Sequence, residues 1–103
     1  MRANQEYLRR SNEFKVAQNR LRASQIETII AEFERICADL EHEIEADEKR
    51  ARISDPTHFA YPTYAKAASE RRAKVQRSAD ALRMELERLR FEASGSSNRQ
   101  FAA

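Results

Sequence analysis

Two apolar stripes of heptad spacing, separated by a short segment holding both prolines, constrain this chain more than any other feature. In the first, Val16, Ala23, Ile30, Cys37, Ile44 and Ala51 recur every seven residues, and Ile26, Phe33 and Leu40 complete a 3-4 repeat. In the second, Ala68, Val75, Ala79, Leu82, Leu86, Leu89 and Ala93 follow the same rule. A seam of this kind is how helices pack knobs-into-holes. Two seams joined by a short break predict an all-α fold, an antiparallel two-helix coiled-coil hairpin with a disordered C-terminal tail. With 103 residues and a single glycine, the chain has neither the length for a second large domain nor the turn punctuation of a sheet protein.

The charges favour the same pairing. Residues 1–26 carry six basic and two acidic side chains, net +4, whereas residues 27–48 carry nine acidic residues against Arg35 alone, net −8. Residues 49–93 carry eleven basic and six acidic side chains, net +5. Folding back brings the acidic block against Lys66, Arg71, Arg72, Lys74 and Arg77. A parallel dimer would instead stack the acidic block on itself. On the first helix, Glu27, Glu34, Glu41 and Glu48 line one flank of the seam. Arg22, Ile29, Ile36, Glu43 and Arg50 line the other, and the polar residues Asn12, Asn19 and Asp47 fall within it.

The expected boundaries are a helix over about 3–52, a junction over 53–62, a helix over about 63–93 and a tail over 94–103. Ser54 or Asp55 can accept hydrogen bonds from free N–H groups, and Pro56 suits a first helical position, so one short helical turn is predicted at 56–60. Pro62 disfavours helix at Tyr61. Ser94-Gly95 reads as the C-terminal stop of the second helix. The hairpin tip comprises Asp55, Pro56, Phe59, Tyr61, Pro62 and Tyr64. With Ile53, its large apolar side chains form either a packed plug or a partner-binding surface. The first helix outruns the second, leaving about fifteen N-terminal residues without an intramolecular partner. There Tyr7, Phe14 and Leu21 recur every seven residues on a different face, with Leu8 and Ala17 beside them. Tyr7, Leu8, Phe14 and Leu21 are therefore candidate docking residues, for another protein or for a second copy.

Catalytic chemistry is not legible. No glycine-rich phosphate loop or nucleophile elbow occurs, and the carboxylates are spread along helix faces. Cys37, His42 and His58 read as seam, surface and turn residues, so no metal, cofactor or small-molecule substrate is expected and the chain reads as a non-enzyme. The basic N-terminus is followed directly by the acidic block, which disfavours nucleic-acid binding. No apolar run approaches the roughly 20 residues that span a bilayer. With a lone cysteine and no secretory signal, a cytoplasmic protein is expected.

The stretch Ile29-Ile30-Ala31-Glu32-Phe33-Glu34-Arg35, then Ala38-Asp39-Leu40, and above all Ile53-Ser54-Asp55-Pro56-Thr57-His58-Phe59-Ala60-Tyr61-Pro62-Thr63-Tyr64-Ala65-Lys66-Ala67-Ala68 resembles the flagellar export chaperones of the FliJ type, particularly alphaproteobacterial ones. The resemblance spans roughly residues 10–90; the members it resembles continue the second helix beyond the Ser94-Gly95 position. It implies a coiled-coil adaptor of the flagellar type III export apparatus, at the membrane only through its partners. Those partners would be the export ATPase, the export gate or substrate chaperones. The residues alone leave two other readings open. One is a helical-hairpin regulator of a large enzyme such as RNA polymerase, and the other is a self-associating structural coiled coil, including a homodimer.

Overall fold

The computed structural model describes the backbone of residues 2–102 and the side chains of residues 2–95. It is an all-α antiparallel hairpin of α1 (Arg2–Ala51) and α2 (Thr63–Ala102). The molecule is a rod of 75 × 19 × 15 Å. Its length is that of α1, whose 50 residues rise about 1.5 Å each. No glycine or proline interrupts α1, so its backbone ladder is unbroken.

Burial follows the heptad. On α1, Ile26, Ile30, Cys37 and Leu40 are buried, and Val16, Ala23, Phe33 and Ile44 are half-buried. On α2, Ala65, Ala68, Ala79, Leu86 and Leu89 are buried, with Val75 and Leu82 half-buried. Ala51 and Ala93, expected on the seams, are exposed, because each lies at the margin of the packed region. The seam changes character along its length. At mid-length, Ile26, Ile30, Leu86 and Leu89 form a four-residue apolar cluster, backed by Ala23 and Leu82. Towards the tip, α2 contributes small residues, Ala65 and Ala68, so less apolar surface is removed from water per turn.

The flanks carry charge pairs between the helices in a definite register. Of the basic residues expected against the acidic block, however, only Arg72 makes one of them, and Arg83 and Arg90, further along α2, make the others. Glu27 pairs with Arg90 at 3.0 Å, Glu34 with Arg83 at 2.7 Å and Glu41 with Arg72 at 3.4 Å. Glu48, the fourth member of that heptad line, accepts a hydrogen bond from the Tyr61 hydroxyl at 3.0 Å. On the opposite flank Arg22 meets Glu85 at 3.3 Å and Glu43 accepts from the Tyr64 hydroxyl at 3.0 Å. Glu34, with Asp80 assisting, holds the Arg83 guanidinium above its ordinary pKa. Each exposed pair contributes only about 0–1 kcal/mol, so together they choose the register more than they supply stability. Asp47, half-buried on the seam, is tied to Arg50 one turn on.

Two expectations about the ends are corrected. The backbone stays helical through Ser94 and Gly95, and α2 reaches Ala102. One glycine costs a helix only about 1 kcal/mol relative to alanine, which an amphipathic helix tolerates. What the tail expectation says of side chains 96–103 lies outside the described residues. In consequence α2, at 40 residues, falls ten short of the 50 in α1, and the unmatched N-terminal length is smaller than the fifteen expected. The short helical turn at 56–60 is also absent; two successive hydrogen-bonded turns occupy that segment instead.

Candidate functional site

The tip is built by hydrogen bonds rather than by an apolar plug. α1 is followed by Arg52, whose φ of 57° is left-handed, and the Ile53 amide donates to the Glu48 carbonyl at 3.3 Å. This six-to-one bond around a left-handed residue is a Schellman cap, here made without glycine. Next, the Asp55 carboxylate accepts from both the Thr57 amide (2.9 Å) and the Thr57 hydroxyl (2.7 Å). The hydroxyl bond first, then the amide bond, pulls the Asp55 pKa below its usual value. The His58 amide donates to the Asp55 carbonyl and the Tyr61 amide to the His58 carbonyl, at 3.1 and 3.0 Å. His58 Nδ1 accepts from the Ala60 amide at 3.0 Å. The first ladder bond of α2, from Lys66 to the Pro62 carbonyl, then starts the return helix at Thr63.

The tyrosines anchor this loop to α1. Tyr61 bonds Glu48 and Tyr64 bonds Glu43, each at 3.0 Å. Loss of water around the Tyr61 phenol, with its bond to Glu48, raises that group's pKa. At Tyr64 the bond to Glu43 is the main cause of a rise. Ile53, Tyr61 and Pro62 are half-buried, whereas Asp55, Pro56 and Tyr64 are exposed.

Phe59 breaks the plug reading outright. It is 97% exposed at the apex, supported on one side by the His58 ring at a centroid distance of 4.7 Å. An aromatic ring left in water on an ordered loop can bury its face against a partner at little conformational cost.

The base presents apolar groups differently. Tyr7, Leu8, Phe14 and Leu21 are 61–71% exposed, on regular helix. Arg9 and Arg10 with Glu6 and Glu13 make only local ion pairs around them. Two exposed side chains on α2 escaped the sequence reading: Met84 and Phe91. They too lie seven residues apart, Met84 midway between Leu82 and Leu86 and Phe91 midway between Leu89 and Ala93, so the same heptad count finds them.

The rest of the surface offers shallow depressions, such as one beside the junction lined by Glu45, Glu48, Lys49, Arg52, Ile53 and Ser54. Cys37 is buried in the seam and His42 is exposed on α1. Among the described residues no group of three or more His, Cys, Asp or Glu side chains is placed to hold a metal ion. Nor is any helix among them long and apolar enough to cross a membrane. No protein-family model matches the chain, and no curated protein or solved structure does.

Proposed function

We propose that this chain is a non-enzymatic adaptor of the flagellar type III export apparatus, of the FliJ type, acting in the cytoplasm and reaching the membrane only through its partners. The resemblance of residues 53–68 supports the family, and the hairpin architecture is the one that family implies. The observation that carries an adaptor role is Phe59, 97% exposed on a hydrogen-bonded loop at the end of a 75 Å rod. A rod with an ordered aromatic tip suits docking into a pocket of a larger assembly, here the export ATPase, the export gate or a substrate chaperone.

Co-purification of the tagged chain from cells tests this reading. The expected result is capture of an export component by the wild type and a loss of about tenfold or more with Phe59→Ala, as for a buried aromatic anchor. A clean deletion should impair motility; normal motility and filament secretion would end the flagellar reading. Capture of RNA polymerase instead would favour the hairpin-regulator alternative. The engagement of the Asp55 carboxylate by Thr57 weighs against that alternative, because it occupies the acidic group at the tip.

A further inference from the structure

The exposed line Tyr7-Phe14-Leu21 has a fixed relation to the buried seam. Counting from Val16, Ala23 and Ile30 as position a of the heptad, the line falls at f, turned directly away from α2. No length of α2 can cover it. Three residues after each member stand Arg10, Ala17 and Ser24, and Ala3 lies four before Tyr7. The outer face of α1 therefore carries a second 3-4 repeat, with large side chains in one column and mostly small ones in the other.

We propose that this face, residues 3–28, is a self-association surface occupied antiparallel by the same segment of a second copy, with the two-fold axis between residues 15 and 16. In that register Phe14 packs over Ala17 of the second copy, Tyr7 over Ser24, and Leu21 beside the aliphatic stem of Arg10. Large residues oppose small ones in the Phe14 and Tyr7 layers, and Leu21 meets the Arg10 stem. A parallel pairing would stack Arg10 on Arg10 and Phe14 on Phe14.

Charge complementarity selects this occupant. Glu13 and Arg20 flank the new repeat and are both exposed. The antiparallel register brings Glu13 of each copy to Arg20 of the other, twice by symmetry. Arg2, Arg9, Lys15 and Arg22, which give the segment its net positive charge, fall outside the interface, and Arg22 is engaged by Glu85. Pairing of residues 3–28, with Tyr7, Phe14 and Leu21 as the large side chains of each copy, brings the contact to roughly 1,200 Å², the lower end of stable interfaces. Dissociation in the micromolar range, on the order of 10 μM, is the matching expectation. Both tips stay free, at opposite ends of the dimer, so this inference does not rest on what the tip binds.

Sedimentation equilibrium of the full chain across about 1–200 μM tests it, a span bracketing the expected constant. A concentration-dependent doubling of mass is expected. Phe14→Glu should give a monomer throughout with unchanged helical circular dichroism, since its side chain is largely exposed and lies off the seam. Either Glu13→Arg or Arg20→Glu alone should weaken the dimer about tenfold, through two like-charge contacts. The double reversal should restore it. A wild type monomeric at every concentration overturns the proposal. So does a dimer that survives Phe14→Glu, a mass above the dimer, association abolished by Phe91→Glu, or a double reversal that fails to rescue. Phe59→Ala should leave association intact, which separates this test from that of the tip.

Discussion

The tip and the base of this hairpin both hold large apolar side chains in water, but by opposite means. At the tip a polar network fixes an irregular loop: the Asp55 carboxylate, His58 Nδ1 and two tyrosine–glutamate bonds direct the chain, and one ring, Phe59, is left outside. At the base, helical periodicity alone sets a row of side chains on a straight cylinder, and the nearest packed cluster, Ile26, Ile30, Leu86 and Leu89, lies further along at mid-length. The tip thus presents a point and the base presents a line. Order at the tip is local and hydrogen-bonded; order at the base depends on the apolar seam.

The largest expected effect separates the two. Ile26 is fully buried, and Ile26→Ala should cost about 2–5 kcal/mol in thermal or urea unfolding, a large share of what a two-helix seam supplies. A loss under about 1 kcal/mol would mean that the Ile26 cluster does not dominate stability.

Two substitutions with glycine exchanged in opposite senses come next. Arg52 adopts a left-handed conformation that costs a side-chain-bearing residue roughly 1–2 kcal/mol, so Arg52→Gly should raise stability by about 1 kcal/mol. Gly95 sits within α2, and a methyl group added there would meet nothing within 4 Å, so Gly95→Ala should stabilise by up to about 1 kcal/mol. Destabilisation by Arg52→Gly would argue that its side chain, not its backbone, matters at the cap.

Extremes of pH should loosen the tip ahead of the base. The Asp55 pKa is lowered, so its contribution is fully present above the ordinary value of 3.8 and is lost as pH falls through the lower folded value. The phenols of Tyr61 and Tyr64 are raised, so their contribution is present below the ordinary 10.0 and is lost as pH rises through the higher folded values. Amide resonances of Thr57 and Ala60 should move in these two windows while those of residues 26–30 stay fixed. Simultaneous movement of both sets would show that the tip is not an independent unit.

The smallest effect is expected at Phe59. Phe59→Ala should change unfolding free energy by no more than about 0.5 kcal/mol, because the ring gives up almost no contact. A cost above about 1 kcal/mol would mean that the ring packs in solution.

Much of this was legible in the residues, for reasons that periodicity explains. The seam from Val16 to Ile44 and from Ala68 to Leu89 could be counted, as could the glutamate flank, but of its partners Arg90, Arg83, Arg72 and Tyr61 only Arg72 followed from the charge blocks. Pro62 placed the start of α2, because a proline restricts the residue before it. The orientation of Phe59 was not legible. Nothing periodic governs a loop, and an aromatic in a turn has the same local signature whether it packs or projects. Gly95 misled because a glycine near a helix end is a stop only when the backbone turns left-handed there, which neighbouring residues decide. At the other end of the seam Arg52, with no glycine signal at all, takes that conformation.

Cys37 gives the molecule a gauge of its own opening. It is the only cysteine in the chain, 9% exposed and close to the middle of the seam, with its sulfur 3.9 Å from the Arg72 carbonyl. A thiol reagent in solution can reach it only when the two helices part at mid-length. The rate of its modification therefore reports how often the rod unzips, and would fall if a bound partner clamped the two helices together.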